Sequence, residues 1–253
     1  MCRIACFPPN FKRKEAIKIL KDFARLNTDG TGFVYVENNK FEGNKWPKPL
    51  SYILRKKLPF LDHMPHNGWT LVHLRAASHG QNIIENTHPF IVGNWAITHN
   101  GIWREHNIVK LALKKFIRFE GETDSEVAAH LFNLAGPKRF TEEVDLSGVF
   151  VALNKNGSLW VSKTSGQLSM FELEDGKVLI ASELPRWYHE TLESLCGWYR
   201  FNKSGRYDKH KESRNWEQSR NWEPYHFQIP QVYRETSCII NKGFYDINKK
   251  YSD

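Results

Sequence analysis

The sequence predicts a mixed α+β protein of one large domain or two small ones. Residues 12–26 place apolar side chains every three or four positions, as an amphipathic helix does. Residues 69–80 include a stretch that alternates with the period of two of a strand. Residues 148–153 and 159–163 flank an Asn-Lys-Asn-Gly turn and are a predicted hairpin. The chain of 253 residues is 40% hydrophobic, which is enough for a packed core.

Before residue 69, short regular elements alternate with turns. A strand is predicted at residues 3–7, stopped by two successive prolines. Another is predicted at 33–36, after the glycine-rich turn 27–32. Residues 38–68 are rich in Asn, Lys and Pro, and we predict an irregular surface excursion there, with a short helix near 50–58.

An arginine stands near the end of the next predicted strand. Alternation places Val72 and Leu74 on one face, and His73 and Arg75 on the other. The planar guanidinium of Arg75 suits a carboxylate, which it can bind with two parallel hydrogen bonds. An ordinary surface salt bridge is the alternative for any single arginine.

An Asn-Gly pair follows an apolar strand predicted at 91–98. Gly101 allows the backbone N–H to approach a ligand closely, and Asn100 adds a side-chain amide. Two such donors can form an oxyanion hole, which stabilises negative charge on a carbonyl oxygen. The alternative is a hairpin turn, for which Asn-Gly is a strong signal.

Two helices come next. The first is predicted at 105–119. The second opens with a capping box, in which Thr123 is the N-cap and Glu126 stands three residues on, and it runs to about Ala135. Asp124 in its first turn either favours the helix dipole or points its carboxylate into a cleft.

The rest of the chain begins with strands and changes composition near residue 200. After the predicted hairpin come a strand at 177–182 and a helix near 187–195. Residues 200–253 hold eleven Lys or Arg against seven Asp or Glu, and they repeat a Ser-Arg-Asn-Trp-Glu unit. Arginine beside tryptophan could stack on nucleic-acid bases. A lid or a partner-docking extension is an equal alternative.

The charge and the cysteines limit the classes of protein. A net charge of +8 permits contact with nucleic acid but does not demand it, and a solvated surface is favoured. The four cysteines include no CxxC pair, so neither a zinc site nor a disulfide framework is predicted. No apolar run approaches the ~20 residues that cross a bilayer, and no signal peptide is found. We therefore expect a cytoplasmic protein without metal or cofactor.

Cys2 directly follows the initiator methionine. Removal of Met1 would leave one residue that carries a thiol nucleophile and a free α-amine. That amine has a pKa of roughly 7.7–8.0, so it can accept the thiol proton near neutral pH. An N-terminal cysteine of this kind is a candidate self-activated nucleophile.

The order of the motifs resembles the class II glutamine amidotransferases, whose glutaminase domains are N-terminal-nucleophile (Ntn) hydrolases. The matching motifs are Met1-Cys2-Arg3, Asn27-x-Asp29-Gly30-x-Gly32, His73-x-Arg75-x-x-Ser78-x-Gly80, Asn86-Thr87-His88-Pro89-Phe90, His99-Asn100-Gly101, Thr123-Asp124-Ser125-Glu126 and Ser182-Glu183. The resemblance implies a four-layer αββα sandwich with two antiparallel sheets. It also implies a glutaminase domain, to which we assign residues 2–199, and we expect the aromatic and basic extension 200–253 to pack on the same domain.

The resemblance assigns catalytic roles to three residues. Cys2 would attack the side-chain amide of glutamine, and Asn100 and Gly101 would hold the oxyanion. Water would then hydrolyse the γ-glutamyl thioester. The resemblance is to the stand-alone type of the family, so the ammonia would go to a separate acceptor protein.

The resemblance also implies a binding site for the two charged ends of glutamine. Arg75 would hold the α-carboxylate and Asp124 the α-amino group, while Ser78 and His79 would line the site. Two positions depart from the common pattern, Ala76 in place of a bulky aromatic residue and Ser78 in place of threonine. These departures leave substrate selectivity open.

Three other functions remain alternatives at this point. An amidase acting on another γ-glutamyl amide would use the same site. A non-catalytic, basic nucleic-acid-binding protein would bind in a salt-dependent way without releasing ammonia. Metal-dependent hydrolysis is disfavoured because the eleven histidines show no metal-ligand spacing.

Overall fold

A computed structural model describes residues 1–78, 80–183, 193–194 and 197–206. Its strands form two sheets. The first sheet contains β1 (Arg3–Phe7), β2 (Gly30–Glu37), β3 (Lys40–Trp46), β4 (Thr70–Arg75), β9 (Ser169–Glu172), β10 (Val178–Ala181) and β11 (Glu193–Ser194). The second sheet contains β5 (Phe90–Val92), β6 (Trp95–Ile102), β7 (Ser147–Asn154), β8 (Leu159–Lys163) and β12 (Gly197–Phe201). The helices are α1 (Arg13–Phe23), α2 (Leu50–Arg55), α3 (His106–Leu113) and α4 (Asp124–Glu143).

Both sheets are antiparallel throughout. The first has the strand order β11-β9-β10-β1-β4-β2-β3, and the second has the order β12-β8-β7-β6-β5. The N-terminal strand β1 is central in the first sheet, where it pairs with β4 and with β10. The first residues of the chain are therefore fixed by hydrogen bonds on both sides.

Three apolar clusters separate four layers. Ile4 and Cys6 of the first sheet pack against Val149 and Val161 of the second, so this cluster lies between the sheets. A second cluster joins α1 and α2 to the outer face of the first sheet. A third joins α3 and α4 to the outer face of the second sheet. The order is helix, sheet, sheet, helix, which confirms the predicted αββα sandwich.

Several predicted elements are confirmed. The strand at residues 3–7, the hairpin of β7 and β8, and the helices α1 and α2 lie close to the predicted positions. Val72 and Leu74 pack in the cluster beneath α1, as the alternation in β4 predicts. Within the described ranges, no helix has the length and apolar character needed to cross a membrane.

Other predictions were wrong. Residues 91–98 are not one strand, because the chain turns at Gly93 between β5 and β6. The alternative of a hairpin turn at Asn100 and Gly101 is excluded, because both residues lie inside β6 and pair with β7. The predicted irregular region 38–68 contains the strand β3. At residues 38–68 and 100–101, strand pairing decided the local structure against the local sequence signal. The turn between β5 and β6 is different, because Gly93-Asn94 is a local hairpin signal that the prediction of one strand overlooked.

The helix predicted to run to about Ala135 is confirmed, because the backbone leaves helical geometry at Gly136, which has φ 74°. A second helical stretch runs from Pro137 to Glu143, and α4 includes both stretches across this kink. The helix predicted near 187–195 is wrong at Glu193–Ser194, which are the strand β11. The remainder of that prediction lies outside the described residues.

The predicted extension begins within the second sheet. The boundary between residues 199 and 200 falls inside β12, and Phe201 at the end of that strand is fully buried. The indole N–H of Trp69 donates to the Asn202 carbonyl at 2.8 Å, which joins this segment to the first sheet. The repeated Ser-Arg-Asn-Trp-Glu units lie outside the described residues.

Candidate active site

The predicted nucleophile lies at one end of the sandwich, which we call the site end. Cys2 immediately precedes β1, and β1 runs antiparallel to β4, with Arg3 opposite Leu74. Arg75, the last residue of β4, is therefore beside the start of β1. Residues near the end of β6 in the second sheet reach the same place, since Asn100 binds Cys2 directly. The topology thus brings three distant segments together.

The thiol of Cys2 lies against the backbone just after β4. The Ala76 N–H donates to Sγ at 3.4 Å, and the distance from Sγ to the Ala76 carbonyl oxygen is 3.5 Å. Burial raises the pKa of this thiol, while the Ala76 N–H, the chain's amino terminus and the Arg75 guanidinium oppose that rise. Because burial dominates, the thiol needs a nearby base to become a thiolate.

The side chain of Asn100 binds the Cys2 residue through two hydrogen bonds. The Cys2 N–H donates to Oδ1 at 3.2 Å, and Nδ2 donates to the Cys2 carbonyl at 2.9 Å. A side-chain amide has two N–H groups. One of them is used here, so the other can serve a second acceptor.

The Ser182-Glu183 pair helps to fix the start of the chain. Arg3 donates to the carbonyls of Met1 and Cys2 and forms an ion pair with Glu183. The Ser182 hydroxyl accepts the backbone N–H of the residue after Arg3 at 2.9 Å. These bonds explain why a Ser-Glu pair far along the sequence belongs to this site.

Asn27 fixes the same segment from the side of β4. Its buried side chain donates to the Met1 carbonyl at 2.9 Å and to the Leu74 carbonyl at 3.2 Å. Both N–H groups of the amide are used in this way. The turn that begins at Asn27 is therefore tied to the first residue of the chain and to the end of β4.

Gly101 is a position where no side chain fits. A Cβ atom there would lie 1.9 Å from the Ser147 carbonyl oxygen and 2.6 Å from the His99 ring. The residue is nevertheless exposed to solvent on its other side. Close packing of β6 against β7 therefore requires glycine at position 101. Because Gly101 is exposed on its other side, its backbone is open to a ligand next to Asn100.

The Arg75 side chain is almost completely buried, with 3% exposure. Its guanidinium donates to the Gln81 carbonyl at 3.0 Å and to Asn82 Oδ1 at 3.1 Å, with a longer approach of 3.5 Å to the Gly80 carbonyl. The segment that follows β4 therefore folds back over the arginine of that strand.

Asp124 lies at the start of α4 and is held by two donors. Its Oδ2 accepts the Trp103 N–H at 2.8 Å, and its Oδ1 accepts the Ser125 hydroxyl at 3.2 Å. Ser125 in turn lies 3.2 Å from Nδ1 of His99, the residue before Asn100. Asp124 is thus connected to β6 through Ser125 and His99.

The predicted capping box is confirmed in one half only. The Thr123 hydroxyl accepts the Glu126 N–H at 3.3 Å. The carboxylate of Glu126 does not return to Thr123; it is buried and accepts the N–H groups of Glu120 at 2.7 Å and Gly121 at 2.9 Å. Glu126 therefore holds the loop before the helix.

The two other residues predicted to line the binding site are Ser78 and His79. Ser78 is exposed. His79 lies outside the described residues. Among the described residues, no group of three or more His, Cys, Asp and Glu side chains is arranged to hold a metal ion.

Asp29 lies at this site, although its sequence motif predicted no role for it. The sequence identified its surroundings only as a tight turn. The carboxylate accepts the Ala77 N–H at 2.7 Å and the Asn82 amide at 3.3 Å. These bonds, of which that to Ala77 is the strongest cause, lower the pKa of Asp29, so it is a carboxylate at neutral pH. Only the pairing of β2 with β4 places it here.

Two buried histidines lie beneath the site between the sheets. The rings of His73 and His88 are 4.2 Å apart, and none of their four nitrogens has a hydrogen-bond partner of standard geometry in the described part of the chain. Burial lowers the pKa of His73 to about 3, and Arg75 adds to the effect. Burial likewise holds the pKa of His88 far below its ordinary value. Both rings are therefore neutral at neutral pH.

Comparison with known proteins identified relatives in sequence. No family model matches the chain. The glutamine–fructose-6-phosphate aminotransferase (isomerizing) of Pectobacterium atrosepticum is 31% identical over 134 residues, which is 48% of this chain and 22% of the relative. A probable enzyme of the same name from Acanthamoeba polyphaga mimivirus is 29% identical over 204 residues, or 73% of this chain and 33% of the relative. The chain thus spans a third or less of the length of these relatives.

Solved structures share the fold. The glutamine phosphoribosylpyrophosphate amidotransferase of B. subtilis, in complex with ADP and GMP, matches 81% of this chain and 48% of its own, with a TM-score of 0.64 and 17% identity. A structure described as the allosteric regulatory enzyme of purine biosynthesis matches the same shares with a TM-score of 0.66. At this identity the likeness establishes the architecture.

Proposed function

The chain is a relative of the class II glutamine amidotransferases in sequence and in fold, and from that premise we propose that it hydrolyses the side-chain amide of glutamine through a thioester on Cys2. The contact that supports this most directly is the pair of hydrogen bonds between Asn100 and Cys2. These bonds place Cys2, which would be the N-terminal residue after removal of Met1, beside the side-chain amide of Asn100. The next residue, Gly101, stands where no side chain fits.

The first chemical step uses the two groups of Cys2. Once Met1 has been removed, the amine of Cys2 stays next to Asn100 Oδ1 and accepts the proton of its own thiol. The thiolate attacks the γ-carbonyl carbon of glutamine. The second N–H of Asn100 and the backbone N–H of Gly101 then donate to the oxyanion.

The second step releases the products. The protonated amine of Cys2 gives its proton to the leaving nitrogen, and ammonia departs. Water adds to the γ-glutamyl thioester, which releases glutamate and restores the thiol. Each step conserves protons without a cofactor, since the amine is both base and acid.

The substrate is a zwitterion, and the site end carries charges of both signs. Arg75 would bind the α-carboxylate, and it is near enough to Cys2 to lower the pKa of the thiol. Asp124 would bind the α-amino group, and Ser78 and His79 would line the entrance. We place the protein in the cytoplasm, where a free thiol such as that of Cys2 stays reduced.

The ammonia would pass to an acceptor, which is either a separate protein or a further domain. The curated relatives are aminotransferases several times longer than the matched region. A hydrolase that releases ammonia to water would use the same residues. Amide transfer to an acceptor is favoured by the names of these relatives, which are transferases rather than simple amidases.

The test combines mass spectrometry with a product assay. We expect the purified protein to lack Met1, to gain one adduct on Cys2 with the glutamine analogue diazo-oxo-norleucine, and to release equal amounts of glutamate and ammonia from glutamine. Cys2→Ala should abolish both labelling and release. Faster release from another γ-glutamyl amide would change the substrate, and unchanged release by Cys2→Ala would refute the mechanism.

A further inference from the structure

Arg75 is the residue proposed to recognise the substrate carboxylate, and the chain must hold its guanidinium in one orientation. A long arginine side chain loses considerable rotational freedom when it is fixed. Preorganised binding groups lower this cost at the moment of binding. The structure shows which residues fix it.

Asp29, Asn82 and Arg75 form a continuous chain of hydrogen bonds. Arg75 Nη1 donates to Asn82 Oδ1 at 3.1 Å, and Asn82 Nδ2 donates to Asp29 Oδ1 at 3.3 Å. Both ends of the Asn82 amide are therefore used, one by each charged residue. The amide dipole has the favourable direction at each end, with its oxygen toward the cation and its N–H toward the carboxylate.

Asp29 also fixes the backbone around Arg75. Its other oxygen accepts the Ala77 N–H at 2.7 Å, and its own N–H donates to the Arg75 carbonyl at 3.1 Å. The neighbouring Gly30 is opposite Arg75 in the pairing of β2 with β4, and a Cβ atom there would lie 3.3 Å from the Arg75 Cβ. Asp29 therefore contacts the backbone of Arg75 directly and reaches its guanidinium through Asn82.

We infer that Asp29 and Asn82 are positioning residues that orient the guanidinium of Arg75 for the α-carboxylate of the substrate. This inference rests on the proposed function. Asp29 acts through Asn82 and does not touch the substrate. The pairing of β2 with β4 joins the turn that holds Asp29 to the strand that ends at Arg75, so two motifs far apart in the sequence serve one binding group.

The test compares Asp29→Ala and Asn82→Ala with the unaltered protein. Asp29 is half-buried and Asn82 is exposed, so both variants should fold, which thermal melting verifies. We expect KM for glutamine to rise on the order of tenfold in each, the scale of one hydrogen bond to a charged group, with kcat nearly unchanged. Alkylation of Cys2 by iodoacetamide, a neutral reagent that needs no arginine, should be no slower. Asp22→Ala, at an exposed aspartate paired with Arg25, is the control.

A double-mutant cycle separates positioning from a general structural effect. Without the guanidinium fork there is nothing for Asn82 to orient, so Asn82→Ala should have little further effect on KM when it is added to Arg75→Lys. Additive effects would overturn the inference. So would an unchanged KM in the single variants, or a loss of kcat accompanied by slower Cys2 alkylation.

A measurement without substrate keeps the inference separate from the proposed function. Phenylglyoxal modifies arginine side chains, and peptide mass spectrometry reports its reaction at Arg75. If Asp29 and Asn82 hold the guanidinium, both alanine variants should react faster at Arg75 than the unaltered protein and Asp22→Ala. An unaltered protein that releases no ammonia from glutamine would refute the proposed function, and the modification rates would still decide the positioning role.

Discussion

The side chain of Asn100 binds both backbone polar groups of Cys2: Oδ1 accepts the Cys2 N–H at 3.2 Å, and Nδ2 donates to the Cys2 carbonyl oxygen at 2.9 Å. The side chain that is proposed to stabilise the oxyanion therefore also orients the nucleophile. The Asn100 side chain belongs to one sheet and the Cys2 residue to the other. The relative position of the two sheets thus sets the distance between Asn100 and the proposed nucleophile.

Replacement of Asn100 should therefore affect chemistry more than binding. We expect Asn100→Ala to lower kcat on the order of 10²–10³-fold, the usual cost of one oxyanion donor. KM for glutamine should change little, because Arg75 remains in place. Steady-state kinetics of ammonia release would measure both values. Asn107→Ala, at an exposed asparagine on α3, is the control and should leave kcat unchanged.

Replacement of Arg75 should weaken substrate binding more than it slows the chemical step. Lysine keeps the positive charge but loses the planar fork that binds a carboxylate with two bonds. We expect Arg75→Lys to raise KM for glutamine roughly 10–100-fold, as the loss of a hydrogen bond between charged groups does. The exposed Arg118→Lys is the matched control. An unaffected KM in Arg75→Lys would exclude the arginine as the carboxylate ligand.

Much of the fold was predictable because burial leaves a pattern in the sequence. β4 was recognised from alternation, since one face packs beneath α1 and the other faces the space between the sheets. β3 left no such pattern. It lies at the edge of the first sheet with most of its residues exposed, and pairing with β2 holds it in place.

The sequence could identify Cys2 and Arg75 as candidate site residues, because Cys2 follows the initiator methionine and Arg75 ends a clear strand. The roles of Asp29 and Asn82 were not predictable, because they depend on which strands are neighbours. The Asn-Gly pair at 100–101 shows the same limit, since a local turn signal was overridden by the pairing of β6 with β7.

Glu126 should contribute to stability through the loop before α4. Its buried carboxylate accepts two backbone N–H groups, those of Glu120 and Gly121. Removing it leaves both donors unpaired, and each costs about 1–3 kcal/mol when it remains buried. We expect Glu126→Ala to lower the free energy of unfolding by roughly 2–4 kcal/mol. Urea denaturation would measure this loss, and Glu142→Ala, at an exposed position of the same helix, should show almost none.

The neutral histidine pair beneath the site should make the protein sensitive to acid. Burial depresses the pKa of His73 to about 3, whereas an unfolded histidine has a pKa of about 6.5. Below that value the unfolded chain binds a proton that the folded chain excludes. The free energy of unfolding must then fall as the pH falls from about 6.5 toward about 3, by at most about 1.4 kcal/mol per pH unit for each such histidine.

The contribution of His73 can be isolated with a side chain that does not titrate. We expect His73→Phe, which keeps a ring against His88, to reduce the fall in unfolding free energy between about pH 6 and about pH 5 by roughly 1 kcal/mol. Urea denaturation at the two pH values gives the difference, which does not depend on the absolute stability of the variant. His66→Phe alters an exposed histidine and is the control. An equal fall with pH in His73→Phe and in the unaltered protein would show that His73 gains its proton over the same pH range in the folded and unfolded states. Its ring would then have a partner that offsets the cost of burying the charge.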